Sequence, residues 1–183
     1  GDHKLQNKPL SGRVLIPIFD ENKTFIVGCT GRIPYDVCMV CGVAHPNQTG
    51  CVNPAEKYRF PKWKHSNFNK SGYLFNLWYA KEYIINSKEV TSLESTACTI
   101  KLAQCNINNG LAIFGSSLSS EQVKILKRLN PKKVRISMDQ DQAGQTAAEQ
   151  IERTLYGKFE IEQIIMPRKD VSELSCEEIG EIF

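Results

Sequence analysis

The rhythm of apolar and polar positions changes along the chain, and the changes mark its parts. From Arg13, the run RVLIPIF, the polar DENK and the run TFIVG predict a β-hairpin, because two β-branched apolar stretches flank a turn-forming segment. Residues 29–60 show no period. Cysteine, glycine, proline and asparagine recur there, which predicts a loop-rich insert that hydrophobic burial alone does not hold. SGYLFNLWYAKEYI, residues 71–84, predicts a helix, with Leu74, Leu77, Trp78 and Lys81 at helical spacings and Trp78 as core.

From Ser87 strands and helices alternate. EVTSLE, LAIFG, KKVRISMD and FEIEQIIMP predict strands; CTIKLAQCNI, SSEQVKILKRL, AGQTAAEQIERTLYG and VSELSCEEIGEI predict helices. Ser119 with Gln122 three residues later forms a capping-box signature at the start of one helix. Such alternation implies right-handed crossovers and a mainly parallel sheet flanked by helices, an α/β fold preceded by the small hairpin and the insert.

Length and composition narrow the class. A chain of 183 residues holds one domain, or one with a small attachment, and buries a sizeable core. There is no apolar run of membrane-spanning length and no signal peptide. A formal net charge of +3 is too small to announce a nucleic-acid partner, so any basic surface must be local. Of seven cysteines, Cys29, Cys38, Cys41 and Cys51 crowd together, whereas Cys98, Cys105 and Cys176 are scattered. That distribution predicts a reducing compartment with a metal site rather than a disulfide framework.

The chemistry concentrates in three places. In an open parallel sheet, functional groups gather at the carboxyl ends of strands. Glu94 ends one predicted strand, Asp139 ends another, and Asp141 lies two residues on. If those strands are neighbours, three carboxylates converge, and their mutual repulsion is relieved by Mg²⁺, which takes oxygen ligands. Asp170 is a further acidic candidate. The bland alternative is that Asp139 caps the following helix and Asp141 is solvated. Second, Cys38, Cys41, His45 and Cys51 have spacings close to a zinc knuckle, with Cys29 as the rival fourth ligand if His45 points away. A site with four filled positions is structural, not catalytic. Third, KYRFPKWKHSNFNK holds five Lys or Arg residues and four aromatics in fourteen positions. Basic groups track a phosphate backbone and aromatic faces stack bases, against the alternative of a solvated loop with its aromatics tucked into the core.

Taken together, these segments resemble the catalytic core of DnaG-type primases, most closely the phage-encoded members. LES resembles the Toprim glutamate motif, LAIFGSSLSSEQ the segment after it, and MDQDQAGQTAA the Toprim aspartate pair with its trailing Ala-Gly-x-x-Ala. GRVLIPIFDENKTFIVGCTGR and PKWKHSNFNKSGYLFNLWYAKE resemble the stretches that precede Toprim in primases. The resemblance runs over about residues 12 to 175. It implies a partial basic N-terminal subdomain over 1–86, with the zinc-binding insert at 29–60, and a Toprim domain over 87–183. It implies Mg²⁺ or Mn²⁺ held by Glu94, Asp139 and Asp141, with Asp170, structural Zn²⁺ in the insert, and RNA primer synthesis from ribonucleoside triphosphates on a single-stranded DNA template. Arg32, Lys62 and Lys70 match basic positions that contact template or nucleotide, with Lys64 beside them. A replicative helicase is an implied partner, and the cytoplasm of a bacterial host of the phage is the implied location.

One departure stands out. Primases commonly carry Glu-Gly-x-x-Asp after the first Toprim strand; here it is Glu94-Ser95-Thr96-Ala97-Cys98. A potential ligand for a second metal is replaced by a thiol. The chain also begins inside the primase core and lacks its later helical part, as a naturally short protein or a fragment would. Two alternatives follow: a Toprim module that binds nucleic acid without polymerising, and a RecR-like recombination protein. The upstream GRVLIPI…VGCTGR segment argues against the latter.

Overall fold

The computed structural model describes residue 10, residues 12–34 and residues 62–183. The chain divides into two compact units, one containing the described residues up to Ile18 and from Ile26 to Phe68, the other Phe19–Phe25 and Asn69–Phe183. In the first unit, β1 (Val14–Phe19), β2 (Ile26–Arg32) and β3 (Trp63–His65) form a sheet in the order β1-β2-β3. β2 and β3 run antiparallel, with Arg32 opposite Trp63 and Thr30 opposite His65. The predicted hairpin is present. Its turn is closed by Asp20, whose carboxylate accepts the Phe25 N–H at 2.7 Å.

The second unit is the alternating part. Its strands β4 (Glu89–Leu93), β5 (Gly110–Ala112), β6 (Lys133–Ser137) and β7 (Glu160–Gln163) form a parallel sheet in the order β5-β4-β6-β7. The helices are α1 (Leu77–Ser87), α2 (Thr96–Gln104), α3 (Ser120–Leu129), α4 (Gln142–Leu155) and α5 (Cys176–Ile182). A buried cluster joins Leu77, Ala80 and Ile84 of α1, Ile125, Leu126 and Leu129 of α3, and Ala147, Ile151 and Leu155 of α4 to Val90, Val134 and Ile136 of the sheet. A second cluster joins Leu93 to Leu102 of α2, to Val171 and Leu174 ahead of α5, and to Ile179 of α5. Val90 and Leu93 are three residues apart on one strand, so they point to opposite faces. The sheet is therefore covered on both sides, as parallel sheets require.

Several predicted elements change length, FEIEQIIMP to Glu160–Gln163 and VSELSCEEIGEI to a 3-10 turn and Cys176–Ile182 among them, and two do so for identifiable reasons. The helix foreseen over 71–84 begins only at Leu77. Phe75 instead bridges to Ala112 of β5 through hydrogen bonds in both directions, and Asn76, at φ 70°, donates its side-chain amide to the Gly110 carbonyl. The edge of β5 takes these backbone groups before the helix can. LAIFG is shortened in turn, since Phe114 adopts a positive φ of 59° and leaves the strand. The capping box of Ser119 and Gln122 is formed in both directions, and Gln122, buried, also donates to the carbonyls of Tyr73 and Ile113.

The cysteine pattern requires a correction. Cys105, at the end of α2, and Cys176, the first residue of α5, form a disulfide across 71 residues, with Cα atoms 5.2 Å apart. Spacing along a chain does not reveal such a pair; only the packing of α5 against the α2 side of the sheet brings it together. Cross-linking a loop of this length removes unfolded-state entropy worth about 4 kcal/mol in the chain-entropy model, an upper figure for most proteins. Reduction, or the double substitution Cys105→Ser with Cys176→Ser, should lower unfolding free energy by about 2–4 kcal/mol. Urea unfolding with and without a thiol reductant measures it, and coincident curves would show that the bond contributes nothing.

Candidate active site

Glu94 and Asp139 meet because of strand register. β4 and β6 are adjacent and parallel, with Leu93 opposite Ser137. The next residues of both strands leave the sheet at one edge, where the Asp139 backbone N–H lies near the Glu94 carboxylate and favours its charged form. Both carboxylates are half-buried. Burial, first, and then the charges of Glu94 and Asp170 push the Asp139 carboxyl up to about 6. Glu94 is also raised, chiefly by burial, with the charges of Asp141 and Asp170 adding to it. These shifts mark half-desolvated acids set among other carboxylates, whose charge Lys169 offsets only in part.

Asp141 has a different environment. It is the N-cap of α4, where its Oδ1 accepts the Gly144 N–H at 2.9 Å, and that bond holds its carboxyl below the usual range. Capping thus falls to the second aspartate of the pair and leaves Asp139 free of it. Its Oδ2 faces the Lys169 ammonium at 3.7 Å. Gly144 is required here, because a Cβ at that position would overlap the Asp139 carbonyl oxygen. The glycine of MDQDQAG is therefore a packing requirement of the aspartate turn. Asp170 caps the short 3-10 turn Val171–Glu173, and its Oδ1 accepts both the backbone N–H and the hydroxyl of Ser172.

Cys98 stands beside the carboxylates. It is 3% exposed, and its sulfur accepts a hydrogen bond from Ser95 Oγ at 3.2 Å. Burial, and after it the charges of Asp170 and Asp139, push its thiol up to about 11, so it is neutral near pH 7 and brings no charge to the site. Ser95 is explained locally: its hydroxyl accepts the Cys98 N–H and caps α2.

Among the described residues, no three His, Cys, Asp or Glu side chains form a closed group around a metal position. The reason is visible in their bonds: one oxygen of Asp141 and one of Asp170 are held by local caps, and the other oxygen of Asp141 faces Lys169. The donor chemistry nevertheless suits a hard dication, since oxygen ligands and surplus negative charge are what Mg²⁺ or Mn²⁺ requires. Lys169 was not singled out from the sequence. Only its place next to Asp170 gave a sign of it.

The remaining predicted residues are distributed more widely. Arg32 lies over the Trp63 ring, 5.1 Å from its centroid. Lys64, paired with Gly31, projects from the other face of that sheet, since Trp63 and Lys64 are consecutive strand residues. Lys62 is exposed. Lys70 lies in the second unit, in the 3-10 turn Lys70–Gly72. Cys29 is a free thiol in β2, and Cys38, Cys41, His45 and Cys51 lie outside the described residues. No described helix is long and apolar enough to cross a membrane.

In the metal-free protein Asp139 makes stability depend on pH. Its carboxyl titrates at about 6 when folded and near 3.8 otherwise, so folding takes up a proton between those values. The contribution is full below the lower value and is lost as pH rises through the upper one. Chelator-treated Asp139→Asn should therefore gain melting temperature relative to wild type at about pH 7.5, with the gain shrinking towards about pH 4. A constant difference across that window would contradict the assignment.

Comparison with known proteins bears on this geometry. Residues 93–175 match the Toprim-like family model, a span that begins at the end of β4 and includes Glu94, Asp139, Asp141 and Asp170. The DNA primase of Helicobacter pylori is 35% identical over 81 residues, 44% of this chain and 14% of that protein. The DNA primase of Campylobacter jejuni is 28% identical over 137 residues, 74% of this chain and 19% of that protein. The crystal structure of the zinc-binding and RNA polymerase domains of the Aquifex aeolicus primase superposes with a TM-score of 0.69 at 26% identity, covering 93% of this chain and 39% of that one. The chain thus spans less than a fifth of these two curated relatives. Over residues 93–175 it is similar to the Toprim-like family, and it is similar in sequence and in fold to parts of bacterial DNA primases.

Proposed function

We propose that this chain performs primase-type nucleotidyl transfer in DNA replication, joining ribonucleoside triphosphates into a primer on a single-stranded DNA template. The observation that carries the reading is the β4–β6 register, which sets Glu94 beside Asp139 and raises the Asp139 carboxyl through burial and neighbouring charge. In this reading Glu94, Asp139 and Asp141 hold Mg²⁺ or Mn²⁺, with Asp170 as a further ligand once its bonds to Ser172 yield. The bound ion supplies alignment and charge neutralisation for phosphoryl transfer. The chain's own part is to fix the carboxylates: the sheet edge orients Glu94 and Asp139, and Gly144 lets α4 begin close against the Asp139 carbonyl. Arg32, Lys62, Lys64 and Lys70 contribute local positive charge for template or nucleotide, and a replicative helicase is the expected partner. That role places the chain in bacterial cytoplasm, within a phage host in its narrower form.

One observation favours a second reading. Cys98 occupies a position where primases commonly have aspartate, and it is a neutral buried thiol. A site with one fewer charge can bind metal and nucleic acid without polymerising. Template-dependent incorporation of labelled ribonucleotides separates the two. The primase reading expects primer products that require Mg²⁺ or Mn²⁺ and fall at least about a hundredfold in Asp139→Asn, a loss of about 2.7 kcal/mol or more of transition-state stabilisation. DNA binding with no synthesis, from this chain and from a longer one alike, would leave only the binding module.

The insert carries its own test. Cys38, Cys41, His45 and Cys51 are proposed as a structural Zn²⁺ site, with Cys29 the rival to His45, on the strength of their spacing. About one equivalent of zinc should be found by elemental analysis of protein purified without chelator, and its removal should lower thermal stability. Zinc-free protein of unchanged stability would discard the site.

A further inference from the structure

We propose that Lys169 is the exchangeable cation of the carboxylate cluster: its ammonium holds Asp141 until a divalent ion occupies the carboxylates, and then turns to the phosphates of the bound nucleotide. The inference rests on the metal reading above and assigns a positioning role to a residue outside the expected ligand set.

Three features support it. The ion pair is loose: Nζ lies 3.7 Å from Asp141 Oδ2, with the two side chains 57% and 49% exposed. Such surface pairs hold weakly and break readily. The same positive charge also acts on Glu94 and Asp139, lowering both against their neighbours' repulsion. Lys169 is therefore a cation shared by the cluster rather than the partner of one residue. Arg168, next to it, is committed elsewhere, pairing with Glu178 at 3.2 Å.

The backbone beneath Lys169 is pinned while its side chain is not. Its carbonyl accepts the Gln140 N–H at 2.7 Å, which ties the loop after β7 to the aspartate turn. On the other side Asp170 caps its own 3-10 turn. The stem of Lys169 can swing over the site without moving the carboxylates. A dication placed among them repels the ammonium and takes its partner, and a polyphosphate then offers the nearest compensating negative charge.

The two halves of the proposal have opposite signs, and that makes them testable. Lys169→Met keeps much of the stem and removes the charge. By calorimetry, it should bind Mn²⁺ alone about fivefold more tightly than wild type at low salt, a gap that narrows as salt rises. With Mn²⁺ saturating, it should bind inorganic triphosphate about fivefold more weakly. Lys169→Arg should restore wild-type behaviour in both. A merely structural role for Lys169 would move both affinities the same way. Unchanged or weaker Mn²⁺ binding in Lys169→Met, or unchanged triphosphate binding, overturns the proposal. Asp139→Asn separates the two levels: if wild type binds Mn²⁺ and Asp139→Asn does not, the carboxylate site stands whatever Lys169 does. Absence of Mn²⁺ binding in wild type and Lys169→Met alike overturns both.

Discussion

The parallel pairing of β4 with β6 is the constraint on which the site depends. Glu94 and Asp139 share no continuous motif; 45 positions separate them by number, and only the register of Leu93 against Ser137 brings them to one edge. A shift of one residue would turn every side chain of a strand to the opposite face and exchange the two buried clusters. The hydrophobic cores on the two faces of the sheet therefore fix the carboxylates as firmly as any local bond. Placing two acids in a half-buried corner raises their proton affinity, a cost that burial elsewhere in the unit offsets.

The four acids have divided tasks. Asp139 and Glu94 carry the strain of burial, and Asp141 and Asp170 spend part of their hydrogen-bonding capacity on starting a helix and a 3-10 turn. This explains why neighbouring carboxylates can belong to one cluster without closing around one point. It also explains the opposite shifts of Asp139 and Asp141, which lie two residues apart. One faces charge and lacks a cap; the other has a backbone N–H and an ammonium. Cys98 keeps the apolar packing of α2 intact where an additional acid would have raised the repulsion further.

Much of the architecture was legible from pattern. The alternation of short apolar runs with amphipathic stretches marked every strand and helix of the parallel sheet, because each element must bury one face and its period records which. Strand-end position singled out Glu94, Asp139 and Asp141, and the Ser119–Gln122 box was readable because capping is local. The start of α1 was not legible. Leu74 has helical spacing with Leu77 and Trp78, yet the free edge of β5 claims the Phe75 backbone, a competition between segments more than thirty residues apart.

The disulfide and Lys169 belong to the same class of hidden feature. Cys105 and Cys176 are unremarked cysteines until two elements pack on one face of the sheet, and Lys169 is an ordinary loop lysine until its backbone bonds to Gln140. Local order, the periodic faces, the caps and the residue types capable of metal chemistry follow from the amino-acid order, since they involve residues within one turn or one strand of each other. Which acids share a corner and which cation answers them were settled only by folding. Those outcomes depend on distances between residues remote in the chain, and on a desolvation that exists only once both faces of the sheet are covered.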